Sequence, residues 1–454
     1  MDRGVDAGRK AQVVVIPYPA QGHINPTLAF AKSLASKGLL VAFVTTTSIA
    51  KSATFFDCAS LTLHTVSDGS EHKKDPNSFE AYFRRFTSIL PASLAQFLDQ
   101  NQRSASPAKL LVYDSTMPWA LDVARARGLL CASLFTMSAA ASAIFYHLGN
   151  GGLRYPYEER GEVRLPSLPC LGVKDLPYLA AFMDDKQTIL KHLCGQFLNL
   201  DKADWIFINT FDMLEKEILE WMTKKWPIKT IGPTILLNHK DDNNNKHTTI
   251  NMFEPKHDAC ITQWLDSKEP ASVVYVSFGS VASLGKPQME ELAHGLAATN
   301  RPFLWVVRAS EANKLPRDFD PGERGLVVAW CDQPAVLAHR AVACFLSHCG
   351  WNSTLEAVGH GVPVVAVPQW MDQKTDAKFI EDVWGVGVGM GLCESGIVGR
   401  KEIAVCIEGV VGGERGVGLR RKACELKRLA KEAVGCGGTS TSNIQNFVEE
   451  LLLR

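Results

Sequence analysis

The chain has 454 residues, 46% of them hydrophobic and 21% charged; that is ordinary globular composition, with room for two or three domains at about 150 residues each. Its 48 Lys and Arg are balanced by 48 Asp and Glu, which removes the electrostatic case for a nucleic-acid binder or a polybasic membrane-surface protein. No apolar run reaches the roughly 18 residues of a membrane span, Met1 to Lys10 lacks the apolar core of a secretory signal, and the 12 cysteines contain no C-x-x-C pair, which reads as reduced, mostly buried thiols in a cytoplasmic protein.

In chain order, Val13 to Ile16 is a buried-strand pattern that stops at Pro17. A turn rich in Gly and Pro (Pro19, Gly22, Pro26) leads into a helical pattern over Thr27 to Lys37, and Leu40 to Val44 reads as the next strand. Strand, loop, helix and strand within about 35 residues form a βαβ unit and imply a parallel sheet. A helix follows over Phe79 to Phe97, with further strand patterns at Lys109 to Tyr113, Ala132 to Phe135 and Trp205 to Ile208. The polar stretch 238–256, with Asp241-Asp242-Asn243-Asn244-Asn245-Lys246, is a linker. Beyond it the rhythm restarts, with strands at Val273 to Ser277, Phe303 to Val307, Leu326 to Ala329, Ala343 to Leu346 and Pro363 to Val367. Helices are expected at Pro287 to Ala297, Asn352 to Gly359, Glu402 to Val434 with a break near Gly412-Gly413, and Ser440 to Leu453. The pattern is α/β: an N-terminal Rossmann-like domain over 1–237, the linker, a C-terminal Rossmann-like domain over 257–437, and a last helix in 438–454 that packs back on the first domain.

Ligands of such sheets bind beyond the carboxyl ends of the strands. Between the Ala343 strand and the Asn352 helix lies Ser347-His348-Cys349-Gly350-Trp351-Asn352-Ser353. Free N–H groups at the helix start, a glycine that admits close approach, and donors on His348, Asn352 and Ser353 make an anion site. Glu356 lies one turn further along the same face, placed for two sugar hydroxyls. Trp330 at a strand end can stack on a flat base, and Asp372-Gln373 follows the next strand. A stacking ring, a ribose acid, a phosphate cradle and a polar pair for a second sugar together describe a nucleotide-sugar site.

The 44 residues from Trp330-Cys331-Asp332-Gln333 to Asp372-Gln373 resemble the signature box of plant secondary-product UDP-glycosyltransferases from first residue to last. Pro19-Ala20-Gln21-Gly22-His23-Ile24-Asn25-Pro26 resembles that family's N-terminal catalytic loop, Tyr113-Asp114-Ser115 its catalytic-aspartate loop, and Ser277-Phe278-Gly279-Ser280 its first C-domain phosphate loop. The resemblance implies two facing Rossmann-like domains, the GT-B type, working without a metal. It implies UDP-glucose as donor substrate and no cofactor. Trp330 is then the uracil platform, while Cys331 through its backbone and Gln333 hold base and ribose. Glu356 binds the ribose hydroxyls, and His348, Asn352, Ser353, Ser280 and Ser277 bind the diphosphate. Trp351, Asp372 and Gln373 bind the sugar, and Gly22, in the N-terminal catalytic loop, is counted with the donor-binding residues. Gln at the last position of the box is similar to glucose-using members.

His23 follows the first strand, and an imidazole there can take the proton of a hydroxyl acceptor as attack proceeds. Asp114 follows a strand of the same sheet and can orient it. Inversion at the anomeric carbon of an α-linked UDP-sugar gives a β-glycoside. Two features are set aside: Gly385 to Gly389 reads as tightly packed strand rather than a phosphate loop, and Asp318-Phe319-Asp320 as a solvated turn. Aromatic and sulfur side chains in the N-terminal half, among them Tyr82, Phe83, Phe135, Met137, Tyr146 and Phe197, are expected to supply core and an apolar acceptor pocket. The Leu168-Pro169-Cys170 and Asp175-Leu176-Pro177 stretch is similar to the plant branch acting on small acids, thiohydroximates, steroids and triterpenoids. The expected acceptor is a small hydrophobic metabolite with a steroid, terpenoid or phenolic hydroxyl, or a carboxylate, and the protein a monomer with no nucleic-acid partner. The alternatives are a nicotinamide-dependent reductase, which the missing G-x-G-x-x-G disfavours, and a non-catalytic sensor or chaperone with a vestigial nucleotide-sugar site.

Overall fold

A computed structural model describes residues 11–51, 60–70, 79–158, 161–179, 185–237, 258–391 and 396–454. The expected linker, 238–256, lies outside them. Two compact units emerge, one of Met1–Pro156, Ala181–Met252 and Ala433–Arg454, the other of Tyr157–Ala180 and Phe253–Glu432. Against the contiguous division expected from the sequence, 157–179 groups with the second unit.

The first unit is built on β1 (Gln12–Ile16), β2 (Leu40–Thr46), β3 (Leu61–Val66), β4 (Ala108–Asp114) and β5 (Leu130–Phe135). After a two-stranded hairpin of β6 (Glu162–Val163) and β7 (Leu171–Gly172), which belongs to the other unit, β8 (Trp205–Ile208) and β9 (Ile228–Thr230) complete it. The seven-stranded sheet runs β3-β2-β1-β4-β5-β8-β9, and each adjacent pair is parallel. Apolar runs such as Val13-Val14-Val15-Ile16 are needed because both faces of a parallel sheet are covered. Val13 and Val15 enter one core, Val14 and Ile16 the other, the two-residue alternation of a strand. The helix Thr439–Leu453 contributes Ile444, Phe447, Val448 and Leu451 to the first of these cores. Phe447 meets Phe207 edge-on at 4.9 Å and Trp205 at 5.1 Å, and Trp205 Nε1 donates to Glu450 at 2.9 Å.

The second unit carries β10 (Val273–Ser277), β11 (Phe303–Val306), β12 (Gly325–Val328), β13 (Val342–Ser347), β14 (Val364–Ala366) and β15 (Gly387–Gly389). They form a six-stranded sheet in the order β12-β11-β10-β13-β14-β15, parallel throughout. Val274 and Val276 face one core, Val273 and Tyr275 the other.

Some expectations need correction. The first helix spans Gln21–Ser36 and contains Gly22 and Pro26, residues read as a turn. Its first turn closes on the carbonyl of Ala20, which accepts from His23 and Ile24 N–H at 2.9 Å each, and burial of Ile24, Thr27 and Leu28 outweighs the breaking tendency of the proline. Strand β3 was missed because Thr62, His64 and Thr65 interrupt its apolar run. Asp114 therefore ends the fourth strand, not the third. Four of the ten described cysteines are buried, fewer than expected, since Cys260 and Cys424 lie on exposed helix positions. No helix among the described residues is long and apolar enough to cross a membrane.

The Phe447 contacts give a direct test of how the last helix contributes. Phe447→Ala should lower stability by about 3–5 kcal/mol, read as a lower denaturation midpoint. Leu453→Ala, at a side chain 89% exposed, should leave the midpoint unchanged.

Candidate active site

In the first unit, the sheet order places β1 beside β4 although the chain makes them first and fourth. The crossover from β1 runs to β2 on one side and that from β4 to β5 on the other. The loops beyond their carboxyl ends diverge there and leave a crevice. His23 is in the first turn of the Gln21–Ser36 helix that follows β1, and Asp114 is the last residue of β4. His23 Nδ1 lies 2.7 Å from Asp114 Oδ2, with the histidine side chain 25% exposed and the aspartate fully buried. The other carboxylate oxygen, Oδ1, accepts from Thr116 N–H at 3.0 Å and Thr116 Oγ1 at 2.6 Å. Thr136 Oγ1 stands 2.9 Å from the same imidazole nitrogen.

Burial acts to raise the Asp114 carboxyl, but the His23 ring and the Thr116 donors outweigh it and hold it below the usual carboxylate range. An ionised acid against Nδ1 fixes the proton there and turns the lone pair of Nε2 outward. Tyr18 packs 5.1 Å from the His23 ring, and burial, with Tyr82 and Asp114, raises its phenol. His192 lies 6.1 Å from Tyr18 and edge-on to Phe83 at 4.6 Å. Burial pulls its imidazole down to about 4, Asp114 opposing and His23 assisting. Gly22 is exposed at the start of the same helix.

In the second unit, β10 and β13 stand at the corresponding reversal of order, and Ser277 and Ser347 are register partners at their ends. Gly279, at φ +69°, lies so close to His348 that a Cβ would come within 2.8 Å of the ring. A Cβ on Gly350 would come within 2.6 Å of it. Cys349 takes φ +64°, its N–H donating to Ser347 Oγ at 3.1 Å, and the chain then enters the helix Trp351–His360. His348 Nδ1 is sealed from solvent without a hydrogen-bond partner among the described residues. Burial pulls this imidazole down to about 4, assisted by Arg308 and opposed by the Ser277 carbonyl. Arg308 itself, 8% exposed, donates to the carbonyls of Gly279 at 3.2 Å and Ala282 at 2.5 Å, which pins the loop carrying Ser280.

The helix presents Asn352, Ser353 and Glu356. Gln333 Nε2 donates to Ser353 Oγ at 2.8 Å and to Glu356 Oε2 at 2.5 Å, while its Oε1 accepts from Tyr275 at 3.1 Å. Burial raises the Glu356 carboxyl to about 7, with Gln333 acting in the opposite sense and Asp332 adding to the rise. Cys331 is buried and Trp330 half-buried beside this network. The Trp351 indole is 3% exposed and packs 6.3 Å from Trp384; what it can offer a ligand is its backbone. Asp372 precedes the helix Gln373–Lys378, and Gln373 Oε1 accepts from Gln369 and Trp370 N–H at 2.9 and 3.2 Å.

The structure thus brings His23 to Asp114, Ser277 and Gly279, the residue before Ser280, to the His348 turn, and Gln333 to Ser353 and Glu356. Sequence reasoning missed Thr116, Tyr18, His192 and Arg308. A signal existed for Arg308, a charge directly after a buried strand. The others depend on long-range packing. The decoys resolve as ordinary structure: a Cβ at Gly387 would lie 2.4 Å from the Val364 carbonyl, and Asp320 Oδ1 accepts from Gly322 N–H at 2.9 Å in an exposed turn.

Comparison with known proteins identifies the family. Residues 208–410 match the family described as UDP-glucoronosyl and UDP-glucosyl transferase, and residues 9–233 match the glycosyltransferase N-terminal domain. Mogroside I-E synthase of Siraitia grosvenorii is 46% identical over 461 residues, covering 98% of this chain and 99% of the relative. UDP glycosyltransferase 9 of Catharanthus roseus is 44% identical, with 97% of each covered. The crystal structure of Os79 from O. sativa in complex with UDP superposes with a TM-score of 0.87 at 35% identity, over 97% of this chain and 100% of that one; Os79 has also been crystallised with U2F and trichothecene. The chain has the GT-B fold and belongs to the family of plant UDP-sugar-dependent glycosyltransferases.

Proposed function

We propose that the protein is an inverting, UDP-glucose-dependent O-glucosyltransferase that acts on a small hydrophobic metabolite with a steroid, terpenoid or phenolic hydroxyl, or a carboxylate. The observation that carries this reading is the 2.7 Å contact between His23 and a fully buried Asp114. In the proposed reaction His23 Nε2 takes the proton of the acceptor hydroxyl as its oxygen bonds to the anomeric carbon. The bond from that carbon to the β-phosphate oxygen breaks, and its electron pair leaves with UDP. Asp114 stays ionised and stabilises the imidazolium that forms. Attack opposite the leaving group converts the α-linked donor into a β-glucoside.

The C-terminal unit is read as the donor half. Trp330 stacks on uracil, the Cys331 backbone and Gln333 hold base and ribose, and Glu356 accepts from the ribose hydroxyls. Ser277, Ser280, His348, Asn352 and Ser353 receive the diphosphate at a helix N-terminus, where charge on the leaving group is best met. Trp351 through its backbone, Asp372 and Gln373 address the glucose. The N-terminal unit, with Gly22 at the rim of the catalytic loop, is the acceptor half. The complex of Os79 with a trichothecene supports a small-molecule acceptor.

The deciding experiment incubates the protein with UDP-glucose and a panel of steroid, triterpenoid, phenolic and carboxylic acceptors and reads product masses. The wild type should add one hexose mass unit to at least one acceptor. His23→Ala should slow that transfer by about 10²–10⁴-fold while binding UDP as before, and Asp114→Asn should slow it in the same direction. Transfer by His23→Ala at the wild-type rate would overturn the assignment of the base. Retention of configuration in the product would overturn the mechanism.

A second expectation concerns Glu356. Its folded-state value of about 7 lies above the ordinary 4.5, so between these limits the folded protein keeps a proton that the unfolded chain releases. Stability should therefore fall as pH rises through that window, and Glu356→Gln should flatten the dependence. Ribose hydroxyls donating to the carboxylate favour its ionised form. UDP binding near pH 6.5 should accordingly release about one proton fewer in the variant than in the wild type, measured by calorimetry in two buffers of different ionisation enthalpy. Equal proton release in the two proteins would count against Glu356 as the ribose acid.

A further inference from the structure

Between β5 and β8 the chain leaves one unit and enters the other. After the β6–β7 hairpin it makes a short 3-10 turn over Val173–Asp175 and continues through Leu176-Pro177-Tyr178-Leu179. This stretch is anchored rather than draped. Leu171 and Leu176 are 0% exposed and Leu179 2%. Asp175 Oδ2 accepts from Gly172 N–H at 2.8 Å, which closes the turn on itself.

Its outer contacts converge on one place. Tyr178 N–H donates to the Met371 carbonyl at 3.0 Å, and Met371 N–H donates to the Tyr178 carbonyl at 2.6 Å, an isolated antiparallel bridge. Thr375 Oγ1 donates to the Asp175 carbonyl at 2.8 Å. The Lys374 ammonium lies 4.5 Å from the centre of the Tyr178 ring. Lys378 Nζ lies 3.8 Å from Asp175 Oδ2. The four partners, Met371, Lys374, Thr375 and Lys378, bracket Asp372 and Gln373 on both sides.

Met371 also has φ +56°, a left-handed conformation that a non-glycine residue adopts only when its surroundings hold it there. The two bridge bonds to Tyr178 supply the hold on one side. On the other, the Gln373 side chain binds the backbone of Gln369 and Trp370. The turn that carries Asp372 and Gln373 is thus shaped from outside its own loop, by a segment that lies some 200 residues earlier in the chain.

We infer that the 171–179 strap is a positioning element for the Asp372-Gln373 turn, and that through it Tyr178 and Thr375 set the discrimination among UDP-sugars. The inference rests on the proposed reading of Asp372-Gln373 as the sugar-binding pair. A carboxylate and an amide can tell an equatorial from an axial hydroxyl only if they are held to fractions of an ångström. Among the described residues, the strap contacts given above fall on Met371, Lys374, Thr375 and Lys378, whereas the groups assigned to uracil, ribose and diphosphate sit on the loops after β10, β12 and β13. Loosening the strap should therefore blur sugar choice and leave nucleotide affinity alone.

The test uses the full chain and the best acceptor of the panel above, with kcat/KM measured for UDP-glucose and for its C4 epimer UDP-galactose. Tyr178→Pro removes the N–H of the bridge. Thr375→Val removes the anchoring hydroxyl with little change of volume. Gln373→Ala removes one member of the sugar pair together with its hold on the Gln369 and Trp370 backbone, and sets the lower limit of the ratio. In both strap variants the glucose-to-galactose ratio should fall about tenfold towards that of Gln373→Ala, while UDP affinity stays at the wild-type value. A wild-type ratio in both strap variants, with Gln373→Ala lowering it, would overturn the strap and leave the sugar reading standing. A ratio untouched by Gln373→Ala would remove the sugar reading and the strap proposal together. Loss of UDP affinity in step with the ratio in both strap variants would reduce the strap to a general structural prop and overturn its selective role.

Discussion

Everything at the site depends on two strand pairings. Where β1 lies against β4, and again where β10 lies against β13, the chain winds away from the junction in opposite directions. At such a junction two loops emerge side by side with nothing between them. Residues 91 positions apart are held at 2.7 Å in one case, and Ser277 and Ser347 become register partners in the other. The same topology is put to two uses. One junction holds an acid and an imidazole; the other holds a glycine-lined turn opening into a helix N-terminus.

Burial then decides protonation, and it works in opposite senses according to what is buried alongside. Asp114 and Glu356 are both enclosed carboxyls. Asp114 faces an imidazole and two Thr116 donors, and is held below its ordinary range. Glu356 faces the single neutral amide of Gln333 and rises to about 7. The histidines follow the same rule. His192 and His348 are desolvated, neither ring bonded to a carboxylate among the described residues, and fall to about 4, Asp114 only partly opposing the fall at His192, which keeps them neutral at physiological pH. His23 alone among the three has a carboxylate in contact, and that carboxylate is what an imidazole needs to accept a proton during a reaction.

The β1, β2, β4, β5, β8 and β10 to β14 runs were legible because a strand covered on both faces must be apolar at consecutive positions. β3 was not, because at the sheet edge Thr62 and His64 can bond to each other instead, at 3.0 Å. The start of the first helix was obscured by Gly22 and Pro26, whose local preference yields to the bonds closing on Ala20. At the candidate site, the strand-to-helix turn was legible because glycine and small polar residues stand together there, the composition that an anion-binding turn requires. Thr116, Tyr18, His192 and Arg308 have no such local signature. Each earns its place through a neighbour supplied by another part of the chain, and the 171–179 strap is the extreme case.

Two kinds of backbone constraint shape the loops at the strand ends of the second unit. At Gly279 and Gly350 the requirement is thickness: any side chain would collide with the His348 ring, at 2.8 and 2.6 Å. The glycines let two loops close on that imidazole, so its position is set by packing. At Cys349 and Met371 the requirement is the reverse. Both residues carry side chains yet sit at φ +64° and +56°, where glycine would be at ease. Cys349 is held by Ser347 Oγ and by its own complete burial, Met371 by the bridge to Tyr178. A glycine at either place would relieve the conformation and also release the chain to wander. Retaining a side chain there and clamping it from a neighbour gives a turn with one geometry, and under the proposed function that matters because groups that need not rearrange stabilise the charge of a leaving diphosphate most strongly.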